Sequence, residues 1–256
     1  DLGTLITTTD GGANWTFQNS GTSNTLTGIE FVSSTTGWAV GLNNTLIKTT
    51  TSGSTWTTQA NQGGSMWGLS MINATNGWSA GDYNSVQSSV RLLKTTNGNN
   101  WTAVYNSGVT TFNSFNDIHF SDANSGWVVG TNGVIRHTTD AGSTTWTAQT
   151  SGTTYELLSV DFIDNLNGYA CGRQGIILHT TDGGANWFGQ YSSYASGTLW
   201  EIDMINATTG FAVGDFGILK YTVSPPTQPL VLLQPNGGEI FQIGTKRFII
   251  WQAQNS

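Results

Sequence analysis

The eight residues TTDGGANW occur twice in the chain, once ending at Trp15 and once at Trp187. The tryptophan that closes this box recurs as Trp15, Trp56, Trp101, Trp146 and Trp187, at gaps of 41, 45, 45 and 41 residues. Two further motifs keep the same beat. GWAVG, GWSAG, GWVVG, GYACG and GFAVG begin at Gly37, Gly77, Gly126, Gly168 and Gly210. LTGIEF, MWGLSM, FNDIHF, LLSVDF and LWEIDM end at Phe31, Met71, Phe120, Phe162 and Met204, each six residues before the matching glycine. A period of this length means stacked copies of one supersecondary unit. The fold therefore reduces to what one unit of about 40–45 residues can be.

Each unit reads as four short strands. Strand A is the L-x-x-I-x-F segment, strand B is G-W-A-V-G, strand C resembles TLIKTT, and strand D begins at the box tryptophan. Charged residues make up only 9% of the chain, against roughly 25% in ordinary globular domains. Thr, Gly and Asn carry the polarity instead and favour strands and turns, and no amphipathic helix is found. The class is all-β, and four strands per unit of this size is a β-propeller blade. Repeats fall near 1–25, 26–65, 66–114, 115–156, 157–198 and 199–223.

The box itself reads as the hairpin between strands C and D. Asp-Gly-Gly supplies positive φ at low steric cost, the acid accepts hydrogen bonds from turn amides, and the tryptophan anchors strand D in the apolar layer. Its acid position drifts: Asp10, Asp140 and Asp182 keep the carboxylate, Asn97 replaces it, and Thr51 stands there in another copy. A turn tolerates that drift and a catalytic carboxylate does not. The pattern resembles the Asp-box, or bacterial neuraminidase repeat, S/T-x-D-x-G-x-T-W, over almost all of residues 1–222. That resemblance implies a fold-stabilising peripheral turn. With the G-W-A-V-G companion, the repeat is similar to propellers of the photosystem II stability and assembly-factor type, which also occur in secreted bacterial proteins. Members with a photosystem role carry an arginine-rich patch, whereas Arg91, Arg136 and Arg173 here lie in different repeats.

Aligning DLGTLITT with DFGILKYT places the start of the chain at a B-to-C turn. The expectation is an incomplete first blade in a propeller of six or seven. After residue 223, VSPPTQP reads as a proline-rich linker (224–229). Residues 230–256 resemble the opening strands of an immunoglobulin- or fibronectin-like β-sandwich of the P-N-G-G-E type, which implies a longer modular chain.

Net charge is −7, with only eight Lys and Arg in all. That excludes a basic stripe for nucleic acid or for an anionic membrane surface, and no apolar run is long enough to span a bilayer. The lone Cys171 reads as a small buried residue of strand B. Its solitude excludes an intrachain disulfide and a cysteine-based metal cluster, while the low-lysine, acidic, Thr/Asn/Gly-rich composition leans towards an extracellular or cell-surface protein. His137 and His179 share the strand-C position of Thr7, Lys48, Lys94 and Tyr221 and do not converge as metal ligands do.

Strand A carries Glu30, Ser70, His119, Asp161 and Asp203 at its fifth position and Asp117 and Glu201 at its third. As innermost strands these would line a solvated acidic channel, where hard oxygen ligands could hold calcium; no other cofactor is expected. The B-to-C turns hold Leu42, Asp82, Thr131, Arg173 and Asp215 and would ring an axial mouth. Trp67, Trp200 and Tyr194 near it suit contacts to peptide or sugar. A sialidase needs three clamping arginines, which the scattered arginines do not supply. A two-carboxylate glycosidase would draw on Asp161, Asp164, Glu201 and Asp203. The functional expectation is a non-enzymatic scaffold for a protein or glycan partner, with a glycoside hydrolase as the alternative.

Overall fold

The computed structural model describes residues 2–60, 64–82, 90–106, 114–191, 197–207, 209–222, 231–233, 239–243 and 247–252. The expected linker, Tyr194 and most of the loop following Asp82 lie outside the described residues. The chain is all-β. β1 (Thr4–Thr7) and β2 (Thr16–Asn19) form a two-stranded sheet. Four four-stranded antiparallel sheets follow in chain order. They are β3 (Leu26–Phe31), β4 (Gly37–Gly41), β5 (Thr45–Thr49) and β6 (Thr57–Thr58); then β7 (Ser65–Met71), β8 (Gly77–Asp82), β9 (Val90–Thr95) and β10 (Thr102–Asn106). Next come β11 (Phe115–Phe120), β12 (Gly126–Gly130), β13 (Ile135–Thr138) and β14 (Thr147–Gln149), then β15 (Leu157–Phe162), β16 (Gly168–Gly172), β17 (Ile176–Thr180) and β18 (Phe188–Tyr191). The last sheet holds β19 (Leu199–Asn206), β20 (Thr209–Gly214), β21 (Gly217–Thr222), β22 (Val231–Leu233), β23 (Glu239–Ile243) and β24 (Arg247–Gln252). These are the blades of a β-propeller, with strands A to D where the sequence places them.

β22 pairs with β21 through Ile218↔Leu233 and Lys220↔Val231, and β23 and β24 extend the same ladder. This pairing does not support the sandwich module expected there. No helix among the described residues is long and apolar enough to cross a membrane. The chain forms two compact units, Asp1–Gly126 with Thr139–Thr145, and Trp127–Thr138 with Trp146–Ser256.

The constant spacing of six residues has a steric cause. The last residue of strand A pairs with the first glycine of strand B, as in Phe31↔Gly37, Met71↔Gly77, Phe162↔Gly168 and Met204↔Gly210. Its side chain lies across that glycine, so a Cβ there would come within 2.0–2.7 Å of the ring or thioether. Only glycine leaves this slot open.

Within the box, the side chains act as the sequence suggests. Gly184 N–H donates to Thr180 Oγ1 (2.9 Å), that hydroxyl donates to Asp182 (2.8 Å), and Asn186 N–H donates to the same carboxylate (2.9 Å). The copy at Thr8, Asp10, Gly12 and Asn14 repeats these bonds within 0.1 Å. The Asn14 donors hold the Asp10 carboxyl down at about 2. Asn97 Oδ1 accepts from Asn100 N–H (2.9 Å), and Thr51 Oγ1 accepts from Thr55 N–H (3.0 Å). An amide oxygen or a hydroxyl thus closes the turn as a carboxylate does. Thr180 is fully buried, so Thr180→Val strands the Gly184 amide. The expected cost is about 1–2 kcal/mol, measured as a shift of the urea midpoint at constant slope; an unchanged midpoint would show that the hydroxyl is dispensable.

The box also joins successive blades. Trp38 Nε1 donates to Gly98 O (3.0 Å), Trp78 Nε1 to Ala141 O (2.9 Å) and Trp127 Nε1 to Gly183 O (3.1 Å). Each acceptor directly follows the acid position of the next repeat's box. Tyr169 replaces this tryptophan where the following repeat has no box. The box tryptophans Trp101, Trp146 and Trp187 are buried and Trp56 half-buried, but Trp15 is 56% exposed. The anchoring expected for Trp15 is therefore absent. Phe31 and Phe162 of strand A meet Trp56 and Trp187 edge-on at 6.0 and 5.8 Å.

One register expectation also changes. Trp38 pairs with Lys48, Trp78 with Lys94 and Tyr169 with His179, but Phe211 pairs with Lys220, not Tyr221. The last B-to-C turn is one residue shorter, with Gly214↔Gly217 where Gly41↔Thr45 stands in the first four-stranded blade. Strand-C residues lie on the strand-B aromatics: Lys48 over Trp38, His137 on Trp127 at 4.4 Å and His179 on Tyr169 at 4.3 Å. Burial there lowers the pKa of both histidines. Cys171 is fully buried, as expected.

Candidate functional site

In four blades the pairing of strands A and B slips by one residue near the start of strand A. The slips fall between Leu26 and Gly28, Met66 and Gly68, Leu157 and Ser159, and Leu199 and Glu201. The skipped residues are Thr27, Trp67, Leu158 and Trp200. A bulge of this kind leaves one residue outside the ladder and re-aims its side chain. Thr27 turns its hydroxyl back to the sheet, donating to Met66 O at 2.7 Å, whereas the two tryptophans reach outward. Trp67 and Trp200 are 36% and 51% exposed, high for side chains of that size.

Both exposed indoles are held at the edge by an acid from their own B-to-C turn. Trp67 Nε1 donates to Asp82 Oδ2 at 3.2 Å and Trp200 Nε1 to Asp215 Oδ1 at 2.8 Å. The Asp215 carboxyl lies below its ordinary range because the Trp200 indole and the Thr198 amide bond to it, with Arg173 adding a smaller attraction. Arg173 belongs to the preceding blade's turn. Its guanidinium carbon lies 6.0 Å from the Trp200 ring centre, and its Nε is paired with Glu156 Oε2 at 2.6 Å. Asp82, Arg173 and Asp215, expected at an axial mouth, are thus each placed beside an exposed tryptophan or on its face. Glu156 had no signal in the sequence, because the D-to-A connections that carry it keep no motif.

The strand-A carboxylates are committed differently. Glu30 Oε2 accepts the Met71 amide at 2.7 Å, and Asp161 Oδ2 accepts the Met204 amide at 2.6 Å. Ser70 Oγ accepts the Phe120 amide in the same way at 3.0 Å. Each is a side chain of one strand A bonded to the backbone of the next. Asp117 Oδ1 accepts from the adjacent Ile118 amide at 2.8 Å.

In the first unit, burial raises Glu30 to about 7, opposed by the Met71 amide and the charge of His119. In the second, burial raises the Glu201 carboxyl, Ser159 opposes this through a 2.9 Å hydrogen bond, and Asp161 and Asp203 add to the rise. Among the described residues no group of three or more His, Cys, Asp or Glu is disposed to hold a metal ion. A separate groove of about 610 Å³ is lined in part by Asn132, Arg136, Gln149, Ser151, Thr153 and Tyr155. It too lay outside the sequence reading, for the same want of a motif.

Box hairpins, interlocking strand-B tryptophans and four-stranded blades define the molecule as an Asp-box β-propeller. Residues 93–193 match the family model described as photosynthesis system II assembly factor YCF48. No curated protein matches the chain. Among solved structures, YCF48 from Cyanidioschyzon merolae is 19% identical with a TM-score of 0.64, covering 86% of this chain and 76% of that one. The GH74 enzyme of Niastella koreensis is 16% identical with a TM-score of 0.67, covering 86% of this chain and 38% of the enzyme. An ancestral GH74 enzyme is 15% identical with a TM-score of 0.61, covering 83% and 31%. At these identities the likeness is one of fold.

Proposed function

We propose that the chain is a non-enzymatic propeller scaffold that holds a protein partner through its bulged strand-A residues and the adjoining B-to-C turns. The observation that carries this reading is the pair of exposed tryptophans, each fixed by a turn aspartate and neither used by the core. Large aromatic side chains pre-set in one orientation bind with little loss of freedom. The match of residues 93–193 to an assembly-factor family adds support, since an assembly factor works by holding other proteins. The low lysine content and acidic, Thr/Asn/Gly-rich composition suit a secreted or cell-surface setting, and the P-N-G-G-E segment suits a longer modular chain.

A hydrolase reading has less behind it. Fold likeness to GH74 enzymes does not carry activity, and Asp161 and Glu201 already accept hydrogen bonds from Met204 and Ser159. The test sets immobilised protein against a peptide array, a glycan array, and sialoside and β-glucan hydrolysis. Saturable peptide binding weakened by Trp200→Ala, with no turnover, is the expected result. Turnover, or binding confined to glycans, would replace the proposal.

A further inference from the structure

The exposed tryptophans occupy equivalent places. Asn44 N–H donates to Gly64 O at 2.8 Å, and Gly175 N–H donates to Gly197 O at 2.7 Å. Each bond ties the B-to-C turn of one blade to the start of strand A in the next, and the residues around the two can be matched by their offsets from it. Counting from them, Leu42 matches Arg173, Trp67 matches Trp200, and Asp82 matches Asp215. In the second unit the Trp200–Asp215 pair carries a guanidinium supplied by the chain itself, that of Arg173. In the first unit the Trp67–Asp82 pair has the same indole-to-carboxylate bond, but half-buried Leu42 stands where the cation would be.

We infer that Trp67 and Asp82 form a subsite for a cationic side chain of the protein partner, an arginine above all, which takes the place that Arg173 fills on Trp200. This rests on the scaffold reading and names the chemistry of its partner. An indole face attracts a guanidinium, and a carboxylate at the ring edge adds a charge-assisted contact. Charge complementarity points the same way: the chain has a net charge of −7, and Leu42 brings no charge to oppose that of Asp82. An acidic or neutral segment gains nothing there that Leu42 and Trp67 would not offer any apolar group.

The test follows the Trp67 indole N–H resonance, assigned through Trp67→Phe, during titration with an acetylated, amidated Gly-Arg-Gly-Arg-Gly peptide and its glutamate counterpart. The arginine peptide should move the Trp67 signal saturably and the glutamate peptide should not. Asp82→Asn should weaken the apparent affinity about tenfold. Leu42→Arg, which copies the residue already borne at the matching turn, should abolish the response by placing an internal guanidinium on the ring. The remaining indole signals report that each variant is folded. A Trp67 signal that ignores the arginine peptide, follows the glutamate peptide equally, or responds undiminished in Leu42→Arg overturns the subsite. Peptide-array binding that persists in those cases leaves the scaffold reading intact.

Discussion

Trp127→Ala is expected to lower the free energy of unfolding by about 4 kcal/mol, the middle of the range for loss of a large buried aromatic. Trp127 is fully buried, stacks on Phe162 at 3.5 Å and on His137 at 4.4 Å, and donates to Gly183 O at 3.1 Å. Alanine removes all of these and leaves a cavity between two blades. Trp127→Phe separates the contributions. It keeps a ring against Phe162 but not the donor, and Gly183 O still receives Gln149 Nε2 at 2.8 Å. Its expected cost is therefore only about 1 kcal/mol. Urea unfolding followed by circular dichroism measures both. A cost below about 1 kcal/mol for the alanine variant would mean that the cross-blade tryptophan is not a principal support of the fold.

The propeller was legible because its repeat is enforced by steric facts that leave marks in the sequence. The Gly37 slot under Phe31, the donor of Trp127 and the hydroxyl of Thr180 recur along the chain, since the same packing is wanted in successive blades. The drift from Asp182 to Asn97 to Thr51 was readable for the same reason, as all three present an acceptor to the turn. What escaped was non-periodic. The one-residue shortening that brings Lys220 opposite Phe211 sits in a turn whose composition resembles the longer ones.

The bulge at Trp67 and Trp200 was invisible because a slipped register changes pairing without changing residue pattern. The strand-A carboxylates were found by position, yet their bonds to the Met71 and Met204 amides were not, because backbone acceptor needs have no sequence signature. Tertiary register thus decides which of the expected polar residues bind one blade to the next and which hold an exposed indole.

The carboxylate of Glu30 gives that distinction a measurable consequence. Burial raises it from 4.5 to about 7, against the opposing pull of the Met71 amide and His119. An acid whose folded-state value lies above its unfolded value binds more protons when folded, so stability falls as pH rises through that interval. The loss should begin near pH 4.5 and be complete a little above pH 7, and it amounts to roughly 3 kcal/mol at 1.36 kcal/mol per unit. Glu30→Gln keeps an oxygen for the Met71 amide and removes the charge. The variant should match the parent near pH 4 and exceed it by about that amount at pH 8. Glu201, raised chiefly by burial, leaves a slope of the same sign in the variant. Urea midpoints at pH 4, 6 and 8 decide the matter: parallel curves for parent and variant would show that Glu30 enters the folded state already ionised, its charge satisfied by the amide it accepts.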